Sequence, residues 1–335
     1  MNYPPYNITD KMLTYVSNIM KKIGELDYIT LNKKPELRKQ NRINSIHSSL
    51  AIENNQLSMN QVKDVIDGKV VLGDRKDIQE VKNAYNAYNE LNNINPYDIE
   101  ELKRVHGIMT FLVEEESGMF RTHGEGVYDG DRLIFMCPPA ELVPSHMNDL
   151  FSWLNEAKEV VHPLILSSVF HYEFVFIHPF GDGNGRMARL WQTAILSKWE
   201  KAFEYIPIES LIKKYQEDYY NAISKCNAVG NSNEFIEFML KMIDETLSEL
   251  LVSTTQETTQ ETTQETTQET TQETTQEKLI ALIKENPSIT QGELAVKLGV
   301  TRDGVSYNIK KLKEQGKLER VGSTKNGTWL VKQSF

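Results

Sequence analysis

Apolar residues recur at spacings of three and four along most of positions 1–250. The runs 147-MNDLFSWLNEA-157 and 234-EFIEFMLKMIDETLSELL-251 show it most clearly, and that period marks helices with a buried face. Strand-like alternation is sparse. Its best instance is 125-EGVYDGDRLIFMCPP-139, where Asp129-Gly130-Asp131 predicts a turn between two short extended pieces and Pro138-Pro139 ends the second. The pattern breaks at Thr254, where TTQE repeats six times up to Glu277 with no apolar or basic residue. Such a stretch buries nothing to offset the entropy of ordering, and threonine is a poor helix former. The four-residue period allows a solvated helix, but the composition favours a flexible acidic tether over 254–277.

Beyond the tether the helical period resumes over about 278–285, 291–298 and 302–315. Thr301 stands where a helix N-cap belongs, Gly316 where a helix ends, and Gly299 in the turn between the last two. The end, KLERVGSTKNGTWLV, reads as a hairpin turning at Asn326-Gly327. Three small helices and a hairpin have the layout of a winged helix-turn-helix. The expected fold class is therefore mainly α: a helical domain with a short β-hairpin, then a small winged-helix domain.

Composition narrows the function classes. A chain of 335 residues, 39% hydrophobic, is large enough for two or three domains. Its net charge of −10 argues against a general nucleic-acid coat, although an average can hide a basic module. The two cysteines, Cys137 and Cys226, form no CxxC pair. That excludes a disulfide scaffold and a thiolate zinc site and suits a reducing compartment. The start, MNYPPYNITDKM, has no apolar core of a signal peptide, and no later segment approaches the ~20 apolar residues a spanning helix needs. A soluble cytoplasmic protein with no membrane partner is expected.

The densest chemistry lies in 178-HPFGDGNGRMARL-190. Singly, each residue has an ordinary explanation: glycines for a turn, a satisfied core histidine, solvated arginines. Together they answer the separate needs of a bound phosphate. A helix starting near Asn184 or Gly185 would turn its free N–H groups and dipole toward an anion in the loop. Gly183 and Gly185 would let phosphate oxygens reach bare backbone. Arg186 and Arg189, three apart, project from one side of the helix and can clamp successive phosphates. Asp182 is a hard oxygen ligand suited to magnesium, and His178 can take a proton from an attacking hydroxyl. There is no G-x-x-x-x-G-K-[ST] loop, and arginine at position 186 breaks the dinucleotide fingerprint.

His178, Phe180, Asp182, Gly183, Asn184, Gly185, Arg186 and Arg189 match all eight fixed positions of H-x-F-x-[DE]-G-N-G-R-x-x-R. The chain thereby resembles the Fic family. The likeness extends over about 100–230 through 118-GMFR-121, the hairpin before Pro138-Pro139, and 219-YYNAISKCN-227. The resemblance implies a helical fold and transfer of AMP from ATP to a protein hydroxyl. In that frame His178 is the base, Asp182 holds Mg²⁺ against the α- and β-phosphates, and 183-GNG-185 is the anion hole. Arg186 and Arg189 bind the β- and γ-phosphates, with Met187 and Ala188 in the same phosphate-binding run, while Phe180 packs in the core. Leu133, Ile134, Phe135 and Met136 resemble the flap that pairs with a target peptide. Tyr219, Tyr220 and Asn227 fall around the adenine or, as aromatics on a helix commonly do, in the core.

A second stretch, 49-SLAIENN-55, reads alone as the end of a helix with Glu53 as a solvated carboxylate. It also resembles the inhibitory motif [ST]-x-x-x-E-[GN]-N of autoinhibited family members. That resemblance implies an inhibitory helix around 43–55, with Ser49 and Asn54 flanking a Glu53 that pairs with Arg189 in the space of the γ-phosphate. The implied domains are an N-terminal helical region over 1–99, a catalytic domain with C-terminal helices over 100–250, the tether, and a winged helix over 278–335.

That last segment carries eleven Lys or Arg against five Asp or Glu, which leaves the rest of the chain near −16. A basic module on an acidic tether suits DNA phosphates. Within 302–315, Val305, Ile309 and Leu312 would face inward. Arg302, Ser306, Lys310 and Lys313 would face a DNA groove, with Lys325 and Asn326 on the wing. Protein binding or dimerisation is the competing use, and self-association into a homo-oligomer stays open. The leading expectation is an ATP- and Mg²⁺-dependent protein adenylyltransferase that modifies Ser, Thr or Tyr of target proteins. The alternatives are a nucleotide-sensing transcriptional regulator, another donor nucleotide or phosphocholine-type group, and removal of AMP.

Overall fold

The computed structural model of the chain describes residues 4–26, 35–129, 132–322 and 327–332. Two compact units emerge, Met1–Leu251 and Val252–Phe335. Among the described residues the fold is mainly helical, and its two small sheets are two-stranded hairpins.

In the first unit the helices are α1 (Asp10–Glu25), α2 (Pro35–Ile52), α3 (Met59–Ile66), α4 (Arg75–Asn89) and α5 (Ile99–Met109). The hairpin β1 (Gly126–Asp129) and β2 (Arg132–Met136) follows, then α6 (Val143–Ala157), α7 (Pro163–Ile177), α8 (Asn184–Trp199), α9 (Ile208–Lys214) and α10 (Gln216–Val229). Local signals start most of them. Thr9, Asp74 and Asp98 each accept a bond from an N–H of the first turn, and Ser58 with Gln61 closes a capping box.

The central pair is α7 and α8. Both are buried nearly all round: α7 hides Leu164, Val169, Phe170 and Phe174, and α8 hides Met187, Leu190, Trp191 and Ile195. A helix without a wet face must lie inside a layer of others, and α2, α5 and α6 supply that layer. The helix expected after the glycines is thus a core helix, and its first turn is buried at Asn184, Arg186 and Met187.

The hairpin strands pair antiparallel with Gly126 opposite Met136, and a bulge falls between Val127 and Tyr128. Gly130 and Asp131 of the expected turn lie outside the described residues. The expected helix over 43–55 is corrected in two ways: α2 starts at Pro35 and ends at Ile52. Glu53 follows it in a turn closed by Glu53 N–H to Leu50 O, 3.0 Å, and Asn54 takes φ 66.

Of the two readings of the tether, the backbone takes the helical one. The backbone is helical from Asn233 to Glu285 (α11), through all the TTQE repeats. Propensity alone disfavours this, but both ends of the repeat continue packed helical turns, so the repeat propagates a helix without nucleating one. In the second unit Leu279 and Ile283 of α11 join a separate core. The other members come from α12 (Gln291–Leu298), α13 (Arg302–Glu314), β3 (Leu318–Val321) and β4 (Thr328–Val331), namely Leu294, Val305, Ile309, Leu312, Leu318 and Trp329. Trp329 anchors the hairpin by donating from Nε1 to Ile289 O at 3.0 Å.

Candidate active site

The turn between α7 and α8 carries the glycine motif. His178 ends α7 with its N–H bonded to Phe174 O at 2.9 Å and with φ 52. That left-handed backbone costs a residue with a side chain about 1–2 kcal/mol, so its surroundings must hold it. Its Nδ1 lies 3.3 Å from Val175 O. A carbonyl only accepts, which assigns the proton to Nδ1 and leaves the Nε2 lone pair free. Burial lowers the ring's pKa, so the imidazole is neutral at neutral pH, as a base must be.

Gly183, at φ 80, precedes α8, and no side chain caps the helix start. Its free N–H groups therefore face the loop. A Cβ at position 183 would stand 3.0 Å from Thr110 Cγ2, and one at 185 would collide with the Glu53 carboxylate. The Asn184 side chain does not face the loop's mouth. It accepts from Phe180 N at 3.0 Å and donates to Phe180 O at 2.7 Å, stapling the turn shut. Met187 and Ala188 are wholly buried. Their side chains fill the core, so only their main chain is left to face a ligand.

The two arginines are each 2% exposed. Arg186 donates from Nη2 to Asp182 Oδ1 at 2.7 Å and from Nη1 to Glu80 Oε1 at 3.1 Å. Arg189 donates from Nε to Ser49 Oγ at 3.0 Å, and from Nη2 to Ser49 O at 2.9 Å and Glu53 Oε1 at 2.8 Å. Arg186 Nε and Arg189 Nη1 have no hydrogen-bond partner among the described residues. An unmet buried donor costs about 1–3 kcal/mol, so each arginine would gain from a further acceptor. Burial works against the charge on Arg189, yet the Glu53 carboxylate more than offsets it and raises the pKa.

Asn54 is exposed and supplies the turn's left-handed backbone. The contact falls instead to Asn55, which donates from Nδ2 to Glu80 Oε2 at 2.9 Å. Glu80 thus bridges the Glu53 turn and Arg186. Sequence reading missed it, although a carboxylate in register with Ala84 and Ala87 on the apolar stripe of α4 was the available signal.

Asp182 keeps 35% of its side chain exposed, with Oδ2 facing Lys76 Nζ at 4.0 Å. Burial raises its pKa, but Arg186 and the Gly183 N–H outweigh that and hold it below the usual range. Behind the loop, His106 accepts from Gly118 N at 2.9 Å on Nδ1 and so donates from Nε2 to Asp182 O at 2.9 Å. It stacks on the buried Phe180 at 3.6 Å. Burial lowers its pKa from 6.5 to about 4, and that of His171 to about 3. Rings that resist protonation only when folded give stability that is present above pH 6.5 and lost as the pH falls toward about 4. The thermal midpoint should fall across that window, and less steeply in His106→Asn. Parallel pH profiles of the two proteins would contradict this.

In the flap, Phe135 packs on Phe176 at 5.2 Å, Met136 is exposed, and the other edge of β2 is unpaired among the described residues. The side chains of Leu133 and Ile134 lie outside the described residues. Of the three residues placed near adenine, Tyr219 is a core residue, 2% exposed and bonded to His171 Nε2 at 3.0 Å. Asn227 accepts from Tyr172 Oη at 2.9 Å, and Tyr220 is the exposed one of the three, at 43%, with its ring edge-on to Tyr219.

In the second unit Arg302, Ser306, Lys310 and Lys313 are exposed on α13. Lys313 Nζ lies 5.4 Å from the centre of the Trp329 ring. Lys325 and Asn326 lie outside the described residues.

Residues 96–196 match the Fic/DOC family pattern, and 272–319 match a winged helix-turn-helix DNA-binding pattern. The protein adenylyltransferase Fic of Nematostella vectensis is 28% identical over 222 residues, 63% of this chain and 49% of the relative. Protein adenylyltransferase fic-1 of Caenorhabditis elegans is 24% identical, over 73% of this chain and 47% of the relative. The chain thus spans about half the length of the curated relatives it matches. A solved structure of a Fic family protein from Desulfovibrio desulfuricans G20 is 34% identical with a TM-score of 0.75, covering 100% of this chain and 99% of that one. On that full-length likeness, and with the motif folded around two buried arginines, the chain belongs to the Fic family.

Proposed function

We propose that the protein is an adenylyltransferase that moves AMP from ATP to Ser, Thr or Tyr hydroxyls of target proteins and of itself. The observation that carries this reading is the pair of buried arginines with unmet N–H groups at the uncapped start of α8, beside a neutral histidine whose Nε2 is free. His178 Nε2 takes the hydroxyl proton while the oxygen bonds to the α-phosphorus. The bond from that phosphorus to the β-phosphate oxygen breaks, and pyrophosphate leaves with the electron pair. The N–H groups from Gly183 to Gly185 hold the phosphate oxygens, and Arg186 and Arg189 take the β- and γ-phosphates. Positioning and charge neutralisation supply most of the catalysis. The edge of β2 captures the target as an added strand.

Among the described residues no group of three or more Asp, Glu, His or Cys could hold a metal. A single half-open carboxylate nevertheless fits magnesium, which takes few protein ligands and arrives with phosphates and water. Asp182 would hold it, and the ion would offset charge on the α- and β-phosphates.

Glu53 is the proposed brake. Its carboxylate sits on Arg189 and against Gly185, in the space a γ-phosphate would occupy. Both cysteines are free, which suits work in a reducing cytoplasm. Incubating Glu53→Gly protein with ATP, CTP, GTP and UTP labelled at the α-phosphate, then locating the label by mass spectrometry, tests the reading. Label on a Ser, Thr or Tyr is expected, with ATP the best donor. No covalent label from any of the four would overturn it.

The exposed Arg302, Ser306 and Lys310 of α13, within a match to DNA-binding winged helices, favour a second role as a nucleotide-sensing regulator on DNA. A gel-shift titration of the full chain at two salt concentrations should show retardation that weakens with salt. No shift at low salt would leave protein binding or self-association as the module's use. Among the described residues no helix is long and apolar enough to cross a membrane.

A further inference from the structure

We infer that Arg121 is a positioning residue that locks the target-binding hairpin and the His178 base into one rigid piece. The inference rests on the reading of His178 as the base and adds a residue outside the phosphate motif. Arg121 is 2% exposed, yet no carboxylate among the described residues pairs with it. Its donors go to carbonyls instead. Nε reaches His178 O at 2.7 Å, Nη1 reaches His123 O at 2.9 Å, and Nη2 reaches Pro138 O at 2.6 Å and Ile177 O at 3.4 Å. Its own N–H donates to Pro179 O at 2.9 Å.

These acceptors belong to three segments: the entry to the hairpin at His123, its exit at Pro138, and the turn that ends α7. The C-terminal end of a helix carries partial negative charge, which accommodates a buried cation without an anion. The planar fork suits the set, since a guanidinium spreads five N–H donors over three nitrogens, whereas an ammonium carries three on one. Lysine would satisfy part of the set.

The consequence is mechanical. A two-stranded hairpin is marginal alone. This one is closed at its base by Cys137 N–H to Glu125 O, 3.1 Å, and by Phe135 on Phe176. His178 sits in left-handed backbone that relaxes unless it is held. Fixing the carbonyl of residue 178 fixes the peptide plane beyond it, and with it the direction of the imidazole. Fixing Pro138 at the same centre sets where a strand on β2 places its hydroxyl. One side chain therefore keeps acceptor and base in register.

The test compares Arg121→Lys and Arg121→Gln with their Glu53→Gly parent. The kcat for transfer should fall about 10²-fold, the scale of a small misplacement of reacting groups, while the nucleotide KM is unchanged. Added guanidinium should restore part of the rate to Arg121→Ala. The Cys137 amide should exchange faster in every variant. If Arg121→Ala or Arg121→Gln fails to fold, Arg121→Lys keeps a cation in place and decides the matter. Parent-like kcat in the lysine variant, or kcat and KM moving together in step with lost stability, would overturn the clamp. A parent that transfers nothing would sink the proposed function instead, and unchanged Cys137 exchange would then still overturn the clamp on its own.

Discussion

His178→Ala is expected to lose transfer by about 10²–10⁴-fold, the usual contribution of a general base, while nucleotide binding survives. The ring touches none of the groups assigned to phosphate. Those are the N–H groups at the start of α8 and the two guanidiniums, which Glu80, Asp182, Ser49 and Glu53 hold independently. Removing the ring should therefore lower kcat and leave the nucleotide KM in place. Left-handed backbone at position 178 complicates the alanine variant. Asparagine tolerates that conformation better, so His178→Asn separates lost chemistry from lost geometry. Both variants should be equally inactive. Full modification of a target by either, measured by mass spectrometry, would remove the histidine from its role.

Glu53→Gly should act in the opposite direction, raising AMP transfer and self-modification by about 10- to 100-fold, the worth of a charged hydrogen bond of about 1.5–3 kcal/mol. The gain has a matching cost. Arg189 loses the one carboxylate that pairs with it among the described residues and keeps its burial, so the unliganded variant should be less stable by about 1–3 kcal/mol. That figure sits at the low end for a broken ion pair because Glu53 is itself 35% exposed. ATP binding then supplies the missing anion, so nucleotide should raise the thermal midpoint more in the variant than in the wild type. Equal transfer rates of the two proteins across a range of ATP concentrations would refute the brake. Arg186 should be unaffected, because Glu80 holds it whatever Glu53 does.

Much of the site was legible as types of residue at a spacing. The glycines, the two arginines three apart, Asp182 and His178 each answered a chemical need, and they do converge on one turn. What spacing could not supply was the partner of each group. Asn184 was read with the glycines for an anion hole, and nothing in the spacing showed that its side chain staples Phe180. Tyr219 was read beside adenine or in the core, and it lies in the core on His171. Glu80, His106 and Arg121 lie up to 106 positions from the groups they hold, as the Glu80–Arg186 pair shows. No local pattern encodes such a contact. The repeat over 254–277 was read from propensity, which omits the help that packed turns at both ends give to a helix.

By itself, then, the sequence determined the helical class, the hairpin, the second small core and the glycine-rich turn, because period, capping and glycine positions are local and act before any tertiary contact forms. The tertiary structure decided what holds Arg186, which carboxylate is fixed and which stays half-open, and how His178 is held. Those depend on burial and on pairs closed between distant segments. Buried charges must find partners wherever the packed helices place them, and only the folded chain specifies where that is.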